Sequence, residues 1–331
     1  MRRFFAVLMT LAVAASAQAT EKRTLCVYDP AGGNGDVFNM MKDYKAEAVS
    51  WGVDFDMKPY TDEKTAAEDF KANKCQAVMM TGTRGRSFLK FAGTIEAMGA
   101  MPEYSQLGQV IRRLSNPKAA RLMKSGAYEA AAMMPGGAVY LMVRDRTIDT
   151  VSELAGKKIA TLDFDLAGKT MVKKVGASLV PADVSTFASM FNNGSVDAAY
   201  APATAFKALE LYKGIGTKGG VLRYPLAQMT LQVIIRTADF PEGFGQASRT
   251  YAYKNFKKAL KVVKLADKSI PAANWIEVSD ADRIKYDEMF LDVRVGLRDN
   301  QKVYDKRMLK LLRKVRCKQD PARAECAQKR E

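Results

Sequence analysis

Not one histidine occurs in the 331 residues. That absence removes the Ser-His-Asp and Cys-His nucleophilic arrangements and every histidine-ligated metal site. Cysteine is scarce too, at four residues, and no C-x-x-C spacing offers a thiolate zinc site. Neither G-x-S-x-G nor S-x-x-K stands where a strand would turn into a helix, and no phosphate-binding G-x-x-x-x-G-K-[ST] loop is present. Beyond the first residues no apolar run approaches the roughly 20 residues of a membrane-spanning helix. A zinc knuckle and a Gly-aromatic strand signature are also missing, so the chain carries no nucleic-acid module. These gaps favour binding over catalysis, and the expectation is a protein that is not an enzyme and needs no cofactor or metal. Carboxylate-only hydrolysis and a Ser-Lys pair stay open on composition alone.

What is present begins with MRRFFAVLMTLAVAASAQA: two arginines, an apolar run from Phe4 to Ala15, and small residues ending Ala17-Gln18-Ala19. This reads as a secretory signal over residues 1–19, cleaved after Ala19, which places the mature protein in the periplasm. About 310 residues then remain, enough for two lobes at roughly 100–200 residues per domain. The formal charge of +16 falls by two, to +14, when Arg2 and Arg3 leave. Many lysines sit in helical segments such as Lys254 to Lys268 and Lys302 to Lys318, where a solvated basic face explains them better than a polyanion site. Eighteen methionines are scattered without histidine or an M-x-x-M series, which points to core packing rather than copper.

Periodicity predicts strands over 24–28, 53–60 and 76–80 with helices over 37–50 and 62–72 between them. Strand, helix, strand, helix, strand is the start of a doubly wound α/β lobe. Residues 151–202 repeat a βαβ rhythm: strand 158–162, a helix from about Leu166, a glycine stop at Gly176, a second helix, an Asn-Gly break, and strand 196–200. Between these halves, 128–133 and 138–143 read as two strand-like runs around Pro135-Gly136-Gly137. The second of them is a candidate for crossing into lobe two, with Leu231 to Arg236 as the return. The fold expected is therefore α/β, with two doubly wound lobes joined by crossing hinge strands. One lobe takes 20–143 and 229–331, including C-terminal helices over 251–266, 280–292 and 301–315; the other takes 144–228. In an oxidising compartment four cysteines allow three connectivities, of which the sequence favours Cys26 with Cys75, on neighbouring strands of a 2-1-3 sheet, and Cys317 with Cys326 across a short polar loop.

The segments Glu153-Leu154-Ala155-Gly156-Lys157-Lys158-Ile159, Gly176-Ala177-Ser178-Leu179-Val180 and Gly194-Ser195-Val196-Asp197-Ala198-Ala199-Tyr200-Ala201-Pro202 resemble, in this order, motifs of periplasmic solute-binding proteins. The likeness is to the receptor subunits of tripartite ATP-independent periplasmic (TRAP) transporters. The resemblance implies a solute held between two lobes, a membrane transporter as partner, and an arginine directly after the strand's Lys-Ile to pair with a solute carboxylate. Ala160 stands at that position, so Arg84, Arg144 or Arg236 would have to supply the charge.

In open α/β sheets ligands sit at the carboxyl ends of the strands. Asp29 and Asn34 of the DPAGGNGD loop are candidates there, although a tight strand-to-helix turn explains that loop better than ligand contact does. Thr81, Thr83 and Arg84 combine hydroxyls, backbone amides and a guanidinium in one helix-opening loop suited to carboxylate or phosphate oxygens. Thr81 can also simply cap that helix, and Arg86 is expected to point elsewhere. In the second lobe Asp163 offers a carboxylate to a solute hydroxyl or amine and Phe164 an apolar wall, while Asp165 is either a contact or a helix cap. Tyr140 and Tyr200 are candidate cleft aromatics, with core packing the alternative for Tyr140.

Two functions follow. The first is a monomeric extracytoplasmic receptor that captures a small polar or acidic molecule between its lobes and presents it to integral-membrane transporter subunits, with no nucleic acid involved. The second uses the same fold without transport, as a sensor or envelope-assembly partner. A cleft open to solute distinguishes the first from the second, in which side chains fill it and a large apolar patch is exposed on the C-terminal helices.

Overall fold

The computed structural model describes residues 20–331, so the signal read over 1–19 lies outside the described residues. Strands β1 (Glu21–Tyr28), β2 (Val53–Tyr60) and β3 (Ala77–Thr81) alternate with helices α1 (Asp36–Ala48) and α2 (Glu63–Lys71). Short helices α3 (Gly82–Gly85) and α4 (Lys90–Gly93) follow, then α5 (Tyr104–Leu114), β4 (Lys124–Ser125) and the long β5 (Tyr128–Val143). The second lobe adds β6 (Lys158–Leu162), α6 (Leu166–Lys174), β7 (Ser178–Ala182), α7 (Phe187–Asn192), β8 (Ala198–Pro202), α8 (Ala205–Ala208), α9 (Tyr212–Ile215) and β9 (Gly220–Leu222). Strand β10 (Ala227–Arg236) returns. After it come α10 (Phe244–Lys254), α11 (Phe256–Ser269), β11 (Trp275–Ile276), α12 (Asp280–Asp299), α13 (Lys306–Gln319) and α14 (Ala324–Gln328). Among the described residues no helix is long and apolar enough to cross a membrane.

The main sheet runs β2-β1-β3-β10-β5-β8-β6-β7. Parallel triplets β2-β1-β3 and β8-β6-β7 lie at its two ends, and the antiparallel pair β5 and β10 spans the middle. Because β5 pairs with β8 over Val139 to Val143 and β10 pairs with β3 over Leu231 to Ile235, these two strands carry the chain between the halves. The chain is thus a two-lobed α/β protein of the kind its strand rhythm predicted, with Cys26 bonded to Cys75 and Cys317 to Cys326.

Three elements differ from the sequence reading. Pro135-Gly136-Gly137 does not separate two strands but forms a bulge within one. Met229 opposes Gly137 and Thr230 opposes Pro135, leaving Gly136 without a counterpart, and Gly137 adopts φ +126°, open only to glycine at ordinary cost. Ser178 to Ala182, taken as part of a link into a second helix, is the edge strand β7. It pairs only with β6, so Pro181 removes no bond that the sheet needs. The helix predicted over 251–266 is two helices that meet at Asn255.

The C-terminal helices do more than cover lobe one. β11 pairs with β9, and α12 packs against α6 of the second lobe. Within them Arg294 and Arg316 are fully buried, each forked between Glu325 and Glu331. Arg294 Nη2 lies 2.6 Å from Glu325, and Arg316 Nη2 lies 2.6 Å from Glu331. Their remaining donors reach backward, Arg294 to the Met98 carbonyl at 2.8 Å and Arg316 to the Ala100 carbonyl at 2.5 Å. Guanidinium forks of this planarity hold carboxylates in fixed geometry, and losing one partner strands a buried charge. The 317–326 disulfide closes the turn that brings Glu325 back onto the pair.

Burial alone would raise the Glu325 pKa, but Arg316 and Arg294 outweigh it and hold the group down to about 2, against an ordinary value of 4.5. One pH unit corresponds to about 1.4 kcal/mol, so the depression implies about 3 kcal/mol of stability at neutral pH. A group with a lowered folded-state pKa stabilises above its unfolded value and loses that contribution as pH falls toward the folded one. Glu325→Gln should therefore cost about 3 kcal/mol in urea unfolding at pH 7. The gap from the native protein should narrow only below about pH 4.5, closing toward pH 2. An equal gap at pH 7 and pH 3 would show that the carboxylate's charge is not what matters.

Candidate functional site

A cleft of about 790 Å³ opens between the lobes. Its floor is the crossing pair, through Met134, Pro135 and Gly136 of β5 and Met229 and Leu231 of β10. Lobe one contributes the β3 to α3 loop together with faces of α1 and α11, and lobe two contributes the β6 to α6 loop, Tyr200 to Pro202 of β8, and α8. This is the carboxyl edge of the parallel strands of both lobes, where doubly wound sheets bind ligands.

The structure brings six of the ten sequence candidates to this cleft and leaves four outside its lining. Asp29, Thr81, Thr83, Phe164, Asp165 and Tyr200 line it. Asp29 is committed to the chain, its Oδ1 accepting from the Ala31 amide at 2.8 Å and its Oδ2 from the Phe38 amide at 2.9 Å, so it fixes the start of α1. Asn34 is exposed at the tip of the same loop. Tyr140 is buried on the other side of β5, its ring edge-on to Trp275 at 5.0 Å, because alternate strand residues face opposite ways. Asp163 is exposed beside Lys169 at 3.9 Å.

Arg84 also lies outside the lining. Its Nε approaches Glu63 at 3.4 Å and its guanidinium stacks on the Phe164 ring at 3.4 Å, so it clasps the two loops together. The other two arginines proposed from sequence are far from the cleft. Arg144 donates to carbonyls of Phe191 and Gly214, and Arg236 to those of Phe70 and Lys71, both acting at helix ends near the tips of the crossing strands. The arginine that does reach the cleft is Arg86, expected to point elsewhere. Arg84 and Arg86 diverge on the one turn of α3, and Glu63, which captures the first, carries no mark in the sequence.

Two buried carboxylates build this end of the site. Glu96 accepts from the Gly82 amide at 2.8 Å, Thr83 Oγ1 at 2.6 Å, the Thr230 amide at 2.7 Å and Thr230 Oγ1 at 2.6 Å. A Cβ on residue 82 would stand 2.4 Å from that carboxylate, so the loop needs glycine there. Glu63 accepts from the Thr81 amide at 2.7 Å as well as from Arg84. Burial pushes the pKa of both carboxyls up, and the donors around them pull it back. Glu96 had one legible signal, a lone charge inside the apolar run Phe91 to Met101; Glu63 looked like an ordinary residue in the first turn of a surface helix.

With Glu63 and Glu96 satisfied, the cleft keeps unspent donors. Arg86 is 10% exposed, and its Nε makes one long contact, 3.4 Å, to the Gly93 carbonyl. Its Nη atoms make no hydrogen bond among the described residues, the nearest carboxylate being Asp165 at 3.8 Å. Tyr304 lies under the guanidinium at 5.0 Å. From the other lobe the Tyr200 hydroxyl is buried without a hydrogen-bond partner. Burial, with Asp165 nearby, keeps this phenol protonated far above its ordinary range, so it remains a donor. No group of three or more cysteines and carboxylates among the described residues is placed to hold a metal ion.

The family of Solute-binding protein AdeT 1/2 matches residues 47–331. The chain is 40% identical over 301 residues to the probable solute-binding protein AdeT1 of Acinetobacter baumannii, covering 91% of this chain and 99% of that one. It is 26% identical over 242 residues to the probable solute-binding protein AdeT2 of the same organism. In fold it is similar to a TRAP periplasmic solute binding protein from Rhodoferax ferrireducens with bound malonate, at TM-score 0.70 and 14% identity over 89% of this chain and 98% of the other. A TRAP periplasmic solute binding protein from Desulfovibrio salexigens with bound orotic acid gives TM-score 0.66 and 13% identity over 90% and 99%.

The Glu96 network sets the position of everything at this end of the cleft. Glu96→Ala should cost about 3 kcal/mol or more in urea unfolding, since four donors lose a buried acceptor. Thr83→Ala, which removes one donor and leaves the carboxylate three, should cost about 1 kcal/mol. Equal losses from the two variants would contradict the shared-acceptor arrangement.

Proposed function

The chain belongs to the Solute-binding protein AdeT 1/2 family, and from that premise we propose that it is a periplasmic receptor whose solute carries an acidic head group. The observation that carries this reading is the pairing of Arg86 with Tyr200. Arg86 on lobe one, its Nη donors without a hydrogen bond among the described residues, and Tyr200 on lobe two, its hydroxyl likewise unpartnered, both line this cleft, while Asp29, Glu63, Glu96 and Asp165 are already hydrogen-bonded to the chain. A carboxylate is the group that takes two donors from a guanidinium fork and a further one from a hydroxyl. Malonate and orotic acid, the molecules bound by the two structural relatives, belong to the same chemical class.

The lobes divide at the ends of the crossing strands, with 20–143 and 229–331 on one side and 144–228 on the other, and β11 and α12 bracing the second lobe. A solute that touches both sides favours the closed arrangement, and a membrane transporter can read that closed form. The signal over 1–19 supplies the export that this role requires. The chemistry asked of the site is capture and release, not bond making.

Thermal-shift measurements with malonate, orotate and butanoate, followed by calorimetry, test the reading. At least one acid should raise the melting temperature, Arg86→Ala should weaken its binding tenfold or more, and Arg86→Lys should recover part of the loss. The proposal fails if none of the three acids stabilises the protein, or if Arg86→Ala binds them as well as the native chain.

A further inference from the structure

The cleft is much larger than its polar end. From Arg86 and Tyr200 it continues along the crossing strands into a second section between the lobes, walled by Val37 and Met40 of α1, Ala205 and Ala208 of α8, and Val262 of α11. Leu265 stands at its rim. Val262 and Leu265 are 46% and 57% exposed, a large apolar surface to leave in water on a helix whose neighbours are mostly lysines. Of the charged residues here, Asp43 and Lys258 pair at 2.8 Å, and Asp36 is exposed at the start of α1. The other lining cation, Lys258, is thus already paired, and a small dicarboxylate at Arg86 would leave this section unfilled. Cavities of roughly 300–1,000 Å³ take ligands of drug size, which the 790 Å³ of this one matches.

We infer that the solute is an amphiphile, with its acidic head at Arg86 and Tyr200 and a hydrocarbon or aromatic part lying between α8 and α11. The inference rests on the reading of the polar end given above, and adds a second, apolar subsite to it. The two are continuous in one cavity, so a single molecule can occupy both. Occupation would also remove Val262 and Ala208 from water from opposite sides, which couples the hydrocarbon part to closure in the same way as the head group.

Three probes separate head from tail by calorimetry on the native protein: butanoate, dodecanoate, and dodecyltrimethylammonium, the last two below self-association. Each buried methylene is worth roughly fourfold in affinity, so burying even four gives dodecanoate an advantage over butanoate of about a hundredfold or more. Val262→Asp and Ala208→Asp, both at positions exposed enough to accept the change, should each cut dodecanoate affinity tenfold or more and leave butanoate within twofold. Dodecanoate no more than fourfold tighter than butanoate, or indifferent to both variants, overturns the apolar subsite while leaving the acidic head intact. Binding of dodecyltrimethylammonium alone, lost in Val262→Asp, would sustain the subsite and overturn the acidic head. If neither twelve-carbon probe binds, the subsite is refuted.

Discussion

The carboxylate of Glu96 is the constraint on which the rest of the cleft depends. It takes two donors from the β3 to α3 loop and two from Thr230 on the crossing strand β10, and so fixes a lobe-one loop to the element that carries the chain between lobes. A buried charge is costly to desolvate, and only a full set of donors makes it tolerable. That requirement dictates the glycine at 82 and the hydroxyls at 83 and 230. The segment that carries Glu96 is itself pinned from behind, where Arg294 and Arg316 hold the Met98 and Ala100 carbonyls between two further glutamates. The C-terminal helices thereby reach the binding end of the cleft without lining most of it.

Sequence patterns were legible where one face of an element is apolar and its ends are marked. The parallel triplet of lobe one, the 158–162 strand and the disulfide partners all follow from period and position. The bulge in β5 was not, because Pro-Gly-Gly is a strong turn signal in isolation and only the opposing strand decides whether it ends a strand or bends one. The same holds for β7, whose Pro181 is harmless only because the strand lies at an edge.

The site was half legible for a related reason. Backbone topology determines which loops meet at the sheet edge, and that much the strand order conveys. Which side chain of a loop points inward depends on a partner elsewhere in the chain. Arg84 and Arg86 are two residues apart on one turn, and the choice between them was made by Glu63 and Phe164, one on another helix and one in the other lobe. Tyr140 and Tyr200 divide likewise: both end in hydroxyls on neighbouring strands, yet one packs on Trp275 in the second lobe's core and the other faces the cleft.

The substitution of Ala160 for an arginine on the β6 strand then has a mechanical meaning. An arginine on that strand would bring a positive charge from lobe two; on the proposed reading the charge would come from Arg86 on lobe one, with Tyr200 and Ala160 lining the cleft from lobe two. A charge on one lobe still needs a counterpart on the other if binding is to close the cleft, since a ligand shifts an equilibrium only by its differential affinity for the two states. The interlobe contacts at this end include the Arg84 to Phe164 stack and the loose Arg86 to Asp165 approach. The first is independent of any solute. The second, at 3.8 Å, is too long to compete with a fork of hydrogen bonds, so an acid on Arg86 would exchange a weak interlobe contact for a strong one completed by Tyr200. On that reading, a guanidinium on the loop rather than the strand would preserve the coupling of capture to closure and leave the lobe-two wall around Ala160 apolar, which is what a solute with a hydrocarbon part would meet.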